Sequence, residues 1–313
     1  MKKLLSILFI LVLFPKSYFS EVKPNELGKI MVLAYHHIGE KDTLYTRRKV
    51  SFINDLHELK KGNFVPLKVS HLEKKMIDVP KGKKPILLTF DDSSLSQFEM
   101  YPDGSLNPDC ALGIMEKFKK DNPDFPITAT FFVLPGASYP SNLFGQPEIT
   151  KKKMEFLIKN GYEVASHTLW HANLKTYKDK IPEQLAEAQK LVNKYLLGYR
   201  LRSLAMPYGI YPPKEYFHKL QSGTYKGTSY NHILVFDYSN RLSLSPFDSE
   251  FDVIKVHRVQ AFEDNIQKFI KMLDEKSLDT YISDGNMDTI TIPKELENKL
   301  DKSLTKKFKI IVQ

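Results

Sequence analysis

The sequence predicts an α/β fold built on a parallel sheet or barrel, and three observations carry that prediction. Short apolar runs rich in β-branched and aromatic residues recur along the chain, amphipathic stretches alternate with them, and several of the runs stop abruptly at carboxylates or histidines. Buried strands that end this way deliver polar groups to the rim of a sheet, where α/β folds place their sites. A chain of 313 residues can bury a full core and suits one large α/β domain with an appendage. Hydrophobic residues at 42% and charged residues at 27% exclude a disordered chain.

Residues 30–34, Ile-Met-Val-Leu-Ala, read as the first strand, which ends at Tyr35-His36-His37 with Gly39 making the turn. His36 and His37 are taken as supporting groups that bond neighbouring loops. Over 52–61 the apolar Phe52, Ile53, Leu56 and Leu59 recur at helical spacing, and Gly62 closes the helix. Residues 64–67 form a short strand, and the apolar run 85–88 leads through Thr89 and Phe90 to Asp91-Asp92. The excursion over 93–107 has no clear period, and its length suggests a functional loop on the site face. A helix follows over 111–118, then a strand over 127–134 that Pro135-Gly136 stops. A helix over 151–159 ends at Asn160-Gly161 and is followed by a strand over 162–166. Residues 182–196 form a long helix, 203–206 a strand running into Pro207-Tyr208-Gly209, and 252–259 a further strand with His257 and Arg258 near its end. The remainder holds a helix over 265–273, a turn over 283–286 and a Thr/Ile stretch over 289–292, with no chemistry visible.

Lys+Arg of 46 against Asp+Glu of 37 gives a formal charge of +9, spread over scattered lysines. A lysine-biased composition accounts for it, and no nucleic-acid partner is expected. Lys2-Lys3 precedes an apolar run over 4–15 and then small or polar residues, the plan of an export signal. That run is shorter than the roughly 20 residues a membrane span needs, so cleavage is expected instead of a permanent anchor. The lone Cys110 cannot form an intramolecular disulfide, and it is given no catalytic role.

Side chains alternate along a strand, so Asp91 and Asp92 serve one site only if the strand turns there, and Ser93-Ser94 permits that turn. By itself the stretch reads equally well as an Asp-Asp-Ser-Ser loop opening a helix. The second site-like stretch is His167-Thr168-Leu169-Trp170-His171. Histidines four apart share one face of a helical turn and can reach a single ion while their other ring nitrogens are held by neighbouring acceptors. Two imidazoles and a carboxylate make a three-ligand site with positions left open for water and substrate. Trp170, the only tryptophan, walls the pocket or the core on this reading.

Taken together, Thr89-Phe90-Asp91-Asp92, His167-Thr168-x-x-His171 and the strand ending at Pro207-Tyr208-Gly209 resemble, in order and spacing, the polysaccharide deacetylase family of carbohydrate esterases. The resemblance runs from about residue 30 to residue 260. It implies a distorted (β/α) barrel of about seven strands with a groove across the strand ends, a catalytic domain over 28–262, and a small C-terminal appendage over 263–313. It also implies a divalent ion, most often Zn2+, on Asp92, His167 and His171, with Asp91 as general base. In the family a histidine on a late strand is the usual general acid, and His257 occupies the matching strand here. Pro207, Tyr208 and Arg258 would face the substrate. The chemistry agrees: an amide has a weakly electrophilic carbonyl and a poor leaving group, and a metal with a neighbouring base answers both.

Three departures from the family pattern bear on the site. Ser93 stands where the family generally has glycine, and Ala205 where many members carry an arginine that orients the base. His257-Arg258-Val259 stands where one branch has Pro-Arg-Ile, which makes Arg258 the candidate for the missing guanidinium. The expected activity is hydrolytic release of acetate from an N-acetylated envelope or extracellular polysaccharide by an exported protein, compatible with peripheral association with the envelope. An O-acetyl esterase or small-amide hydrolase on the same scaffold and a carbohydrate-binding protein without catalysis are the alternatives. If residues 1–20 are an export signal, N-terminal sequencing of the exported protein should begin near Glu21, and recovery of Met1 would show a retained segment.

Overall fold

A computed structural model describes residues 23–275 and 280–313; the expected export signal lies outside them. Its centre is a curled parallel sheet whose strands are β1 (Met31–Tyr35), β2 (Lys84–Asp91), β3 (Thr130–Val133), β4 (Glu163–Ser166), β5 (Ser203–Ala205), β6 (Leu234–Phe236) and β7 (Val259–Gln260). Spatial order follows chain order from β1 to β6, and β7 lies on the other side of β1. Leu33 of β1 pairs with Val259, while Val256, just before β7, bridges Phe236 of β6. The segment 256–260 therefore closes the sheet on itself, giving a distorted (β/α) barrel. The strand Phe64–Leu67 pairs with the first half of β2, below the level at which β3 takes over.

Both faces of these strands are buried, which is why they read as continuous apolar runs. Alternation sends Val32, Leu87, Phe132, Ala165, Ala205 and Phe236 into the barrel. Leu33, Tyr35, Leu88, Phe90, Phe131 and Val133 point outward into a layer with helices α1 (Lys49–Lys61), α2 (Ala111–Asp121), α3 (Thr150–Lys159), α4 (Ile181–Asn193) and α5 (Asn265–Glu275). Higher in the barrel the inward positions turn polar: Thr89, Asp91 and Arg258 are all buried. The site is thus carried on an apolar plug, at the C-terminal ends of the strands.

The sequence and the structure differ at several elements. The strand expected over 127–134 is regular only at Thr130–Val133. The run 252–259 is broken: Asp252 accepts the Ile254 and Lys255 N–H groups, so regular pairing resumes only at Val259. Strand β6 was not anticipated, nor was the hairpin Ser222–Tyr225 with Thr228–Asn231, whose Lys226-Gly227 turn has φ of 44° and 79°. Among the described residues no helix is long and apolar enough to cross a membrane.

Residues 280–313 pack under the N-terminal end of the barrel, where Thr280 bridges Lys29 and Ile282 bridges Asn25. Tyr281, Ile290, Ile292, Leu300, Leu304 and Phe308 join the apolar cluster of the barrel interior. Glu26 fastens this layer: its carboxylate accepts the Tyr281 hydroxyl at 3.0 Å and the Thr291 N–H at 2.9 Å. Burial, helped by Asp284, pushes the Glu26 carboxyl from the ordinary 4.5 up to about 7. Between those values the unfolded chain is ionised and the folded chain keeps its proton, so rising pH removes stability, on the order of 3 kcal/mol. Urea unfolding from pH 4.5 to pH 7 should show Glu26→Gln losing less stability than the parent; parallel profiles would contradict this.

Candidate active site

Strand β2 runs through Asp91, and the chain then turns left-handed at Asp92 and Ser93, with φ of 77° and 44°. This turn lets two adjacent aspartates face one cavity. A left-handed non-glycine residue costs roughly 1–2 kcal/mol, and Ser93 recovers part of it through its own bonds. Its Oγ donates to Ser141 O at 2.9 Å and accepts from Leu134 N–H at 3.0 Å, while its carbonyl accepts from Phe144 N–H at 2.7 Å. The loop after β3 is thereby stapled to the turn that aims Asp92.

His167 follows β4 directly, and its Nδ1–H donates to Ala205 O at 2.9 Å, which leaves Nε2 with its lone pair toward the cavity. Nε2 stands 3.4 Å from Asp92 Oδ1 and 3.9 Å from Asp91 Oδ2. His171 Nε2 lies 3.5 Å from the same Asp92 oxygen. The expected helical turn is absent; the chain from His167 to His171 turns with φ of 73° at Thr168 and 66° at His171. Convergence of the two rings comes from this left-handed turn, held by Thr168 Oγ1 accepting Ala172 N–H at 3.1 Å.

Arg258 is 1% exposed and reaches Asp91, itself 2% exposed, across the barrel interior. Its two terminal nitrogens donate to Oδ1 and Oδ2 at 2.8 Å each, and its Nε donates to Asp237 O at 2.7 Å. Burial opposes ionisation of Asp91, but Arg258 outweighs it and holds the carboxyl below its ordinary value. Arg258 therefore touches the carboxylate and forms no part of the cavity wall, contrary to a substrate contact. Pro207 is buried beneath the wall. His257 does not line the cavity either: alternation turns it away from Arg258, and its Nδ1 lies 2.5 Å from Asp237 Oδ2.

The cavity, about 310 Å3, is lined by Asp91, Asp92, His167, His171, Tyr208, Tyr238, Met206 and Gly209, and by His36, His37 and Tyr45 from the loop after β1. Tyr208, left-handed at φ 60°, sets its ring 4.4 Å from that of His171 and is 60% exposed. The His36 ring sits between Tyr45 and Tyr238, 5.3 Å from each. Burial lowers its value, while Asp91 and Asp92 act against that. Sequence reasoning gave His36 only a supporting role and passed over Asp237 and Tyr238; the apolar run 233–236 ending on Asp237 repeats the signature of the Asp91 strand and was the available signal. Trp170 packs edge-on against Tyr177 at 5.1 Å and is no part of the wall.

The donor set fits a divalent metal ion. Ligand atoms of Asp92, His167 and His171 all lie within 4.8 Å of one another. Burial lowers His171 to about 4, so that it is neutral near pH 7. The bonds and charge of His167 overcome burial to keep Asp92 ionised, and His167 is raised by Asp91 and Asp92 despite its own burial. The two carboxylates that raise His167 would favour a bound cation by the same field. Two imidazole nitrogens and one carboxylate oxygen suit a first-row ion with positions left open.

Fold and site together define an α/β barrel with a carboxylate and imidazole centre at its C-terminal rim. Residues 78–221 match the family described as polysaccharide deacetylase, so the resemblance carried by the three motifs is shown over the segment that contains them. Among solved structures, the deacetylase PplD of Streptococcus pyogenes, in complex with acetate, is 18% identical with a TM-score of 0.58, over 80% of this chain and 98% of that one. A polysaccharide deacetylase from Bacillus cereus is 19% identical with a TM-score of 0.57, over 78% and 68%. IcaB from Ammonifex degensii is 19% identical with a TM-score of 0.56, over 78% and 96%. At these identities the likeness is one of fold.

Removing the guanidinium would leave Asp91 buried without its cation. Arg258→Ala should cost about 3–5 kcal/mol in urea unfolding and raise the Asp91 value, moving the acidic limb of the kcat/KM profile to higher pH. Ala205 also faces the barrel interior, so adding Ala205→Arg should restore part of both. An unmoved acidic limb in Arg258→Ala would remove Asp91 from the role of base.

Proposed function

We propose that the protein is an exported, metal-dependent hydrolase that removes N-acetyl groups from an envelope or extracellular polysaccharide, releasing acetate and leaving free amines. The observation that carries this reading is the division of labour between neighbouring aspartates: Asp92 stands with the two histidines, and Asp91 is kept ionised beside them by Arg258. The reading rests on Asp91 being held as a carboxylate at the cavity wall beside the three candidate ligands. The domain over 28–262 would hold the activity, with 263–313 as its extension.

A divalent ion, zinc on the family resemblance, would be held by Asp92, His167 and His171 and would supply Lewis acidity at the acetyl carbonyl. Asp91, next to that group, accepts the proton of the attacking water. Arg258 fixes both oxygens of Asp91, so the base is already oriented when it takes up the proton. The backbone N–H at Tyr208 is the candidate donor to the carbonyl oxygen as it becomes negative. Met206 and Tyr238 give the acetyl methyl an apolar wall. We assign the proton for the departing nitrogen to His36 in place of His257, because His36 lines the cavity with Asp91 and Asp92.

The test combines metal analysis with acetate release from N-acetylglucosamine oligomers and from acetylated xylan. The expected result is bound metal, acetate from the oligomers, and loss of the metal in a His167→Ala, His171→Ala double variant. Asp91→Asn, which leaves the buried Arg258 facing a neutral amide, should lose on the order of 3–5 kcal/mol of stability, keep its metal, and lose about 10²- to 10⁴-fold in turnover. Acetate from xylan alone would indicate an O-acetyl esterase, and oligomer binding without acetate a binding protein.

A further inference from the structure

Between β2 and α2 the chain makes its excursion over 93–107, and the mechanism just given uses none of it. Gln97 in that loop is fully buried. Its backbone is tied to the start of α2, its carbonyl accepting Leu112 N–H at 2.9 Å, with Ser96 O accepting Ala111 N–H at 3.0 Å. Its side-chain Nε2 donates to His36 O at 2.7 Å and also to Asp91 O. The last pair in the parallel ladder between β1 and β2 is Tyr35 with Phe90, so His36 and Asp91 are the next positions in that register. The Gln97 amide joins the two strands one step beyond their own ladder, at the level of the site. The neighbouring Ser96 Oγ accepts Ile38 N–H at 3.2 Å, so the backbone on either side of His37 is held by consecutive residues of one loop.

We infer that Gln97 is a positioning residue that sets the spacing between His36 and Asp91, a conclusion that rests on the roles given to those two residues above. Two N–H groups of one amide meet two carbonyls, and the reversed amide would set its oxygen against both, so the orientation is fixed by the strands. Its Oε1 is buried and accepts no hydrogen bond among the described residues. The amide thus ties the two strand ends to each other and to the loop. On the roles assigned above His36 and Asp91 serve the two ends of the reacting bond, and proton transfer at both depends on their separation.

Gln97→Met keeps the length and apolar stem and removes both donors. In the metal-loaded enzyme acting on N-acetylglucosamine oligomers, kcat should fall about 10- to 100-fold, with KM and metal stoichiometry unchanged. In a His36→Ala background the same substitution should cost less than about threefold, because the spacing then has nothing to serve. An unchanged kcat overturns the assignment, as does an equal loss in both backgrounds or a loss of metal in step with activity. If Gln97→Met does not fold, Gln97→Asn, whose shorter amide can meet one carbonyl only, is read by the same measurements. Acetate release by the parent with an unaffected Gln97 variant sinks this inference alone, whereas a parent that releases no acetate removes the reading of the site and this inference with it.

Discussion

The buried pair of Arg258 and Asp91 is the interaction on which barrel and site both depend. Taking two charges out of water costs several kcal/mol per ion, recovered only where geometry is good and the remaining hydrogen-bonding groups are served. Here the guanidinium makes a bidentate contact at 2.8 Å on both arms, and its Nε is taken by Asp237 O. Its face lies 5.5 Å from the Phe132 ring. Arg258 stands next to β7, the strand that closes the barrel against β1, and Asp91 ends β2. One interaction therefore locks the ring and settles the charge of the site.

From that pair follows the different fate of two adjacent carboxylates. Asp91 points inward with the rest of its strand face and meets a permanent cation. Asp92, one residue on and left-handed, leaves the strand direction and meets imidazoles from the loop after β4. Arg258 pairs with one carboxylate and not the other, and both carboxylates, Asp91 first, keep His167 above its ordinary value even when buried. The chemistry assigned to the site needs this asymmetry, since a base and a ligand cannot be the same group.

Much of this was legible in the residues. Runs such as 30–34 and 127–134 announce themselves because parallel strands buried on both faces contain little else than apolar residues. Strand β6 was not seen because Leu234-Val235-Phe236 is too short for a period to establish itself, and with it went Asp237 and Tyr238. The spacing of His167 and His171 gave the convergence but not its cause: the turn uses positive φ at Thr168 and His171, a strained arrangement that spacing alone does not reveal. His36 was underweighted because a polar residue just past a strand looks like any loop residue until the wall opposite is known. Arg258 and its partner Asp91 could both be named from sequence, because the late strands of a barrel close against the first ones, and the two bonds at 2.8 Å are the contact so expected.

The rim concentrates strain that the rest of the barrel supports. Asp92, Ser93, Thr168, His171 and Tyr208 all have positive φ, and they are residues that carry or flank the site. Each costs of order 1–3 kcal/mol relative to a relaxed backbone, so the arrangement persists only where surrounding bonds over-determine it. Ser93 shows how: a side chain where glycine would fit without strain is kept by three hydrogen bonds to the loop after β3. That loop is held in turn by Lys153, buried beneath it, whose Nζ donates to Phe144 O at 2.8 Å. Burial lowers Lys153 to about 7, yet an amine keeps a donor in either charge state, so the bond to Phe144 survives the loss of a proton. The strained turn that aims Asp92 is thus fixed through neutral hydrogen bonds, and charge at the rim is confined to the groups that use it.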